Sequence, residues 1–363
     1  MKTSTYGERG FSNRTSPRSL RGGVVKAYQI QAGAGIAGLE RVERQSQDPG
    51  ASEIRVRVDA AALNHRDLSF ARGQFYSPPS YPIIPLVDGY GEVIAVGEAV
   101  TRFKAGDRVI TSYYPRWIDG ALSPSKTAVS FGAQFDGTLA EENVASEEAF
   151  VLAPRSLDAI TAAMLPCAGV TAWNALFVAG AVKPGGSVLL LGTGGVSLWA
   201  LQLARAAGVF TIVTSSQDEK LERARSLGAS ATINYRTTPE WQDEVLRLTE
   251  GAGVDVVVEV GGEGTLARSL KSVGPGGTIV VIGRVSGGGG VSIEPGALIG
   301  GAKRLVGITA GSRAMLEQLV RFVDVNKIQP AVDKVFPFGE APSAYEYLAG
   351  GRHFGKVVID MRA

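Results

Sequence analysis

At 363 residues the chain exceeds the size at which one hydrophobic core keeps growing, so two domains are expected. Its 37 Lys and Arg against 35 Asp and Glu, interspersed, leave a net charge of +2 and no electrostatic footprint for nucleic acid or an anionic membrane. With no apolar run of about 18 residues and Cys167 as the only cysteine, the sequence argues against a transmembrane helix, a disulfide and a cysteine-knuckle metal site, and suits the reducing cytoplasm.

Residues 1–22 carry Lys2, Arg9, Arg14, Arg18 and Arg21 against one acid, Glu8, and lack an apolar face, so they read as a disordered extension rather than a transit peptide. From residue 24 to about 148 the periodicity is that of short strands punctuated by Gly and Pro. Residues 53–61 alternate as EIRVRVDAA, 91–96 read GEVIAV and 107–110 read DRVI, an antiparallel β-rich domain. Residues 156–164 and 170–179 read as helices, the second leading through KPGGS into the next unit.

Residues 187–216, SVLLLGTGGVSLWALQLARAAGVFTIVTSS, form a β-α-β unit that binds a dinucleotide. An apolar strand at 188–191 runs straight into the turn Gly192, Thr193, Gly194, Gly195 and Val196, where a helix opens. Glycines there let the backbone approach a pyrophosphate, and the helix N-terminus offers free N–H groups to hold it. Ser197 replaces the third glycine of the fingerprint and is expected to crowd the helix slightly against the strand. NAD enzymes place an Asp or Glu about 20 residues past the glycines, on the ribose 2′-hydroxyl. This chain has Thr214, Ser215 and Ser216 there, with Lys220 and Arg223 one turn onward, which favours NADP(H) over NAD(H).

Strands at 254–260 and 278–282 each end in glycines at the ligand-facing end of a parallel sheet, and 303–308 reads as a sixth strand. The glycines 287–290 read as a surface loop. After Gly311 a helix at 313–326, a segment at 333–338, a short helix at 342–348 and a strand at 356–360 exceed what a six-stranded nucleotide domain needs. The chain is therefore expected to return to its first domain and leave a ligand cleft between the two. The expected division is an extension at 1–22, a β-rich catalytic domain at 23–166, a nucleotide domain at 167–310 and the return at 311–363.

From residue 24 onward the chain resembles the medium-chain dehydrogenases/reductases, which include zinc alcohol dehydrogenases and zinc-free quinone oxidoreductases. The resemblance rests on the order of AALNHRDL, P-x-x-P-x-x-D-G-Y-G-E-V-x-A-V-G, FKAGDRV, DGTLAE, LPCAGVTAWNAL, GTGGVS and HFGKVVID. It is nearest to the zinc-binding-dehydrogenase-like and quinone oxidoreductase-like branch, and it implies an α/β protein: a GroES-like antiparallel β-rich catalytic domain plus a Rossmann doubly wound parallel sheet. The family holds catalytic zinc with a Cys of a C-H-x-D motif, the His of G-H-E and a later Cys. Those positions here are Asn64, Val87 and Cys167, and 116–137 lacks the four cysteines of a structural zinc lobe. His65, Asp67 and Asp88 do not restore the family's ligand geometry, so no metal is expected.

Without a metal, negative charge developing on a substrate oxygen needs a protein donor. The resemblance places Asn64, His65 and Asp67 in the family's active-site turn as catalytic candidates. His65 can donate a proton near neutral pH, while Arg66 and Asp67 are expected to hold the turn through an ion pair or hydrogen bonds. Tyr90, Tyr113, Tyr114 and Trp117 are expected on the substrate side. The resemblance also implies Thr171 near the nicotinamide, Val260 and Gly261 near its ribose, Gly283 and Arg284 at the end of the fifth strand, Tyr235 near the adenosine, and a homodimer through 303–308. The expected function is an NADPH-dependent, zinc-independent reductase of an activated C=C or C=O in a small enone, quinone, ketone or aldehyde. Two alternatives are an alcohol dehydrogenase acting on an alcohol/carbonyl pair and a low-turnover NADPH-binding protein.

Overall fold

Alternating apolar residues give the first part of the chain strands that bury one face or are enclosed on both. A computed structural model describes residues 23–75, 78–287 and 289–363, so the basic extension lies outside the described residues. Strands β1 (Val24–Gln29) and β2 (Glu40–Gln45) form an antiparallel ribbon. They are followed by β3 (Glu53–Ala62), β4 (Asp88–Val96), β5 (Arg108–Thr111), β6 (Glu142–Ser146) and β7 (Phe150–Leu152). Ile54, Val56 and Val58 of β3 point inward, as its alternation requires, and β3 pairs antiparallel with β4 and β6.

The next six strands are β8 (Ser187–Leu190), β9 (Phe210–Ser215), β10 (Ala231–Asn234), β11 (Val254–Glu259), β12 (Val273–Val281) and β13 (Arg304–Gly307). All pair in parallel, in the order β10-β9-β8-β11-β12-β13. Val188, Leu189, Leu190, Val256, Val257 and Val258 are fully buried, the continuous apolar runs that helices on both faces of a parallel sheet demand. The order reverses between β8 and β11, where doubly wound sheets take their ligand. The helix Gly195–Ala206 covers one face. Leu198, Leu201 and Leu203 are buried there, each contributing about 1.5–3 kcal/mol.

The last strands, β14 (Val332–Pro337) and β15 (Lys356–Asp360), are parallel to each other, and β15 pairs antiparallel with β3. The chain therefore returns to its first sheet, giving the order β14-β15-β3-β4-β5-β7. The segment at 333–338 is thus a strand, and the helices at Arg313–Asn326 and Ala341–Ala349 stand close to their expected places.

One region differs from its expected form. The helix at 156–164 shrinks to Ala159–Ala162, capped by the Asp158 carboxylate, which accepts from the Thr161 N–H at 2.9 Å. The chain then stays helical from Leu165 to Ala179 but widens to π-helical turns at Leu165–Gly169 and Asn174–Ala179, around an α-helical turn at Val170–Trp173. Pro166 has no N–H to close the ordinary ladder in the first wide turn. This segment is the wall shared by the two sheets, because one core runs from Ala60, Tyr90 and Ile110 through Met164 and Leu165 to Val188 and Val258. No helix among the described residues is long and apolar enough to cross a membrane.

Candidate active site

The glycine turn after β8 is built to accept a phosphate. Gly192 has φ +74°, a conformation that favours glycine, and its N–H faces the Thr214 hydroxyl at 3.3 Å. A Cβ on Gly194 would meet nothing within 4 Å, so its Cα faces open space above the helix N-terminus. A dinucleotide's pyrophosphate fits that space. Ser197 does not crowd the helix as expected. Its hydroxyl donates to the Leu191 carbonyl at 2.7 Å and fastens the helix to the strand end.

At the end of β9, where the adenosine is expected, Ser215 is buried and Ser216 half-buried, and the Tyr235 N–H donates to the Ser215 carbonyl at 3.0 Å, leaving the Tyr235 ring exposed beside it. Asp218, the nearest acid, has its carboxylate engaged by the Asn234 amide at 2.7 Å. Lys220 donates to the His353 carbonyl at 3.0 Å, and partial burial lowers its pKa. Arg223 turns away from the strand end to Asp333 at 3.4 Å and lies over the Phe354 ring at 4.0 Å.

The loop after β11, where the resemblance puts the nicotinamide ribose, rests on a residue that pattern reading missed. Glu259, fully buried at the end of β11, accepts from the N–H groups of Gly261 and Gly262 at 2.7 and 2.9 Å, from the Thr265 hydroxyl at 2.6 Å and from the Ser269 hydroxyl. One carboxylate thereby shapes the loop Val260-Gly261-Gly262. The only signal for it was an acid closing an otherwise apolar strand.

Between the two sheets lies a cleft of about 690 Å³. Thr171, Val196, Val260, Gly283 and Arg284 line its nucleotide side, while Asn64, His65, Tyr113 and Cys167 line the other. Gly261 lies behind this surface. Three expected substrate residues lie elsewhere. Tyr90 is buried in β4 with its hydroxyl accepting from Arg108 at 3.1 Å, in a stretch, 88–91, that is enclosed on both faces. Trp117 is buried with its indole N–H donating to the Gly120 carbonyl at 2.9 Å. Tyr114 stands behind the lining, its hydroxyl bonded to that of Thr309 at 2.6 Å.

The active-site turn is a helix start. Asn64 caps His65–Ala71, and the buried Asp67 carboxylate accepts from the Asn64 N–H at 2.8 Å. Asp67 thus holds the turn by a hydrogen bond and does not line the cleft, while Arg66 lines it and donates to the Phe131 carbonyl at 2.9 Å and the Ser130 hydroxyl at 3.1 Å. His65 stands exposed to the cleft, where partial desolvation and the Arg72 charge lower its pKa and favour the neutral ring.

Burial pushes the Asp67 carboxyl from 3.8 up to about 6, against the pull of Arg66 and the Asn64 N–H. The native state then binds this proton more tightly than the unfolded chain. The stability it contributes is full below 3.8 and is lost as pH rises through about 6. Asp67→Asn is expected to flatten the dependence of the urea midpoint on pH across that window; a slope identical to wild type would contradict the assignment.

Where the resemblance would put a catalytic zinc, the chain has put an ammonium group. Lys356, at the start of β15, is 3% exposed and donates to the Leu63 carbonyl and Asn64 Oδ1, each at 2.6 Å, and to Asp88 Oδ2 at 2.9 Å. The Asn64 amide donates to the same Asp88 oxygen at 2.9 Å, so its orientation is fixed: Oδ1 to the cation, Nδ2 to the carboxylate. Cys167 stands close enough for its thiol, raised in pKa chiefly by burial, to respond also to Asp88 and Lys356. With Asn64 and Val87 in two ligand positions and a cation bonded to their neighbours, this donor set does not fit zinc. No cluster of three His, Cys, Asp or Glu residues suited to a metal occurs among the described residues.

Residues 50–155 match the family model of the alcohol dehydrogenase GroES-like domain, and residues 195–324 match that of zinc-binding dehydrogenase. A zinc-type alcohol dehydrogenase-like protein of Schizosaccharomyces pombe is 42% identical over 87% of this chain and 92% of its own length. A quinone oxidoreductase of Pseudomonas aeruginosa is 32% identical over 93% and 99% of the two chains. A solved structure of a cobalt- and zinc-bound thermostable alcohol dehydrogenase from Pyrobaculum aerophilum superposes with a TM-score of 0.80 at 28% identity, covering 93% of this chain and 100% of that one. A parallel sheet in dinucleotide-binding order, a GroES-like sheet completed by the C-terminus and relatives matched along nearly their whole length converge on one assignment: the chain belongs to the medium-chain dehydrogenase/reductase superfamily and is an oxidoreductase of that nicotinamide-dependent family.

Proposed function

We propose that the protein is an NADPH-dependent reductase of an activated C=C or C=O that works without catalytic zinc. The observation carrying this reading is the Lys356 ammonium, bonded to Asn64 and Asp88 among the family's zinc-ligand positions. Bound NADPH supplies the hydride. His65, exposed to the cleft, is the proton donor through its imidazolium form, which its lowered pKa makes the minority form near neutral pH, and Asn64, locked in orientation by Lys356 and Asp88, shapes the wall beside it. Tyr113 and the cleft-lining Ile282, Val285 and Ile308 give an apolar seat for a carbon chain or ring. The exposed edge of β13, with Leu305 part-exposed, is the surface for a homodimer.

Incubating metal-free protein with NADPH and a simple α,β-unsaturated ketone tests the reaction. A saturated ketone supports hydride addition to C=C, and an allylic alcohol supports carbonyl reduction. Turnover that appears only after zinc is added would sink the proposal.

The preference for NADPH rests on Ser215, Ser216 and Lys220 at the end of β9, where Thr214, Ser215 and Ser216 stand in place of the acid that would bind a ribose 2′-hydroxyl. Ser215→Asp is expected to move the NADPH:NADH ratio of kcat/KM toward NADH by about tenfold or more. Steady-state kinetics with both cofactors checks this, and an unchanged ratio would remove the argument.

A further inference from the structure

The charge lining the cleft is one-sided. Arg66, Arg72 and Arg284 reach it, and no Asp or Glu lines it among the described residues. None of the three arginines makes an ion pair among the described residues; the ion pairs of this region go to other groups. Arg284 stands on the nucleotide wall, where the cofactor's own charge is available to it. Arg66 and Arg72 stand on the opposite wall.

Arg66 is the most constrained of the three. Its guanidinium is clamped between the rings of Phe75 and Tyr113, with centroids 5.0 and 4.7 Å from its central carbon. Two neutral acceptors, the Phe131 carbonyl and the Ser130 hydroxyl, engage Nη1 and Nη2. Nε is buried with no hydrogen-bond partner, and the neighbouring Asp67 carboxylate attracts the guanidinium through space but bonds to the Asn64 N–H instead. A guanidinium has five N–H donors in a rigid fork and stays charged at every working pH. With no carboxylate bonded to Arg66 among the described residues, its charge is compensated only through space, and a ligand carboxylate would complete the compensation.

We infer that the cleft selects a substrate bearing a carboxylate beside its reducible enone or carbonyl, and that Arg66 is the residue that reads this carboxylate. The inference rests on the reductase reading only for the reducible group. The arginine, the two rings and the lack of a direct ion pair to Arg66 among the described residues are independent of it. Arg72, on the same wall, adds long-range attraction for the same anion.

The test pairs 4-oxopent-2-enoate with its methyl ester, in NADPH-loaded wild type and in Arg66→Met, which keeps an unbranched apolar stem between the rings. The acid:ester ratio of kcat/KM is expected to fall roughly ten- to a hundredfold in the variant, the size of one charge-assisted hydrogen bond, mainly through KM for the acid. Arg66→Lys should restore part of the ratio by restoring charge. A ratio within twofold of wild type, or equal losses on both substrates, would make Arg66 a brace for the loop at Phe131 and overturn the inference.

Binding separates this result from failure of the reductase reading. 4-Oxopentanoate, titrated calorimetrically into NADP⁺-loaded wild type, is expected to bind more tightly than its methyl ester and to lose affinity as salt rises. That result supports the inference even where no reduction is detected, and it needs no variant to fold. Equal or tighter binding of the ester overturns it, whatever the enzyme reduces.

Discussion

Lys356→Met is expected to lower folding stability by about 3–5 kcal/mol, the usual consequence of removing one member of a buried ion pair. Asp88 is fully buried, its Oδ1 already lacks a hydrogen-bond partner, and its Oδ2 would keep only the Asn64 amide. Methionine replaces the volume of the lysine stem, so a cavity is not the cause. The uncompensated carboxylate is, and a second substitution isolates it: Asp88→Asn in the Lys356→Met background should recover more than half of the loss in urea denaturation. If the double variant is no more stable than Lys356→Met alone, the ion pair is not what the lysine contributes. The same single substitution frees the Asn64 amide to flip, so reductase activity in the refolded fraction should fall as well.

Gly194→Val should separate folding from cofactor binding. The backbone at Gly194, φ −81° and ψ −178°, is open to any residue, and an added Cβ meets nothing within 4 Å. The fold should therefore lose no more than about 1 kcal/mol, the price of a poorer helix cap. The branched side chain, however, enters the space a pyrophosphate needs. NADPH affinity should drop by about a hundredfold or more, equivalent to about 2.7 kcal/mol of phosphate contacts. Fluorescence titration beside thermal denaturation checks both halves. Wild-type affinity in a folded variant would move the phosphate away from this turn. Gly195 gives no such separation, since a Cβ there would lie 2.8 Å from Lys356 Cδ.

The nucleotide half was readable because its signals are local: an apolar run, a glycine turn and a helix lie consecutively, and their order dictates a parallel crossover. The return of the chain to its first sheet was readable from a surplus of elements after Gly311. What escaped were facts that depend on distant partners. Nothing local to HFGKVVID says that Lys356 will meet Asp88, 268 residues away, although both lie within motifs that stood out. Tyr90 was misplaced for a related reason. It stands in a glycine-flanked motif near the active-site turn, but its ring packs into the core with Ala60, Ala62 and Ile110, which come from strands distant in sequence. Arg66 and Asp67 were expected to hold the turn through an ion pair or hydrogen bonds; Asp67 does so by a hydrogen bond, while the neutral acceptors of Arg66 come from a loop that carried no pattern.

The four residues 353–356 join the two halves of the molecule. The His353 carbonyl takes Lys220, the Phe354 ring takes Arg223, the Gly355 N–H donates to the Thr193 carbonyl at 3.0 Å, and the Lys356 stem lies under Gly195. Successive residues of one strand entry thus grip the nucleotide sheet while their own strand is locked into the other. The two sheets cannot part at this joint without exposing a buried ammonium and its carboxylate. Because Gly355 and Lys356 lie against Thr193 and Gly195, the contacts that tie the sheets together are the same ones that support the glycine turn.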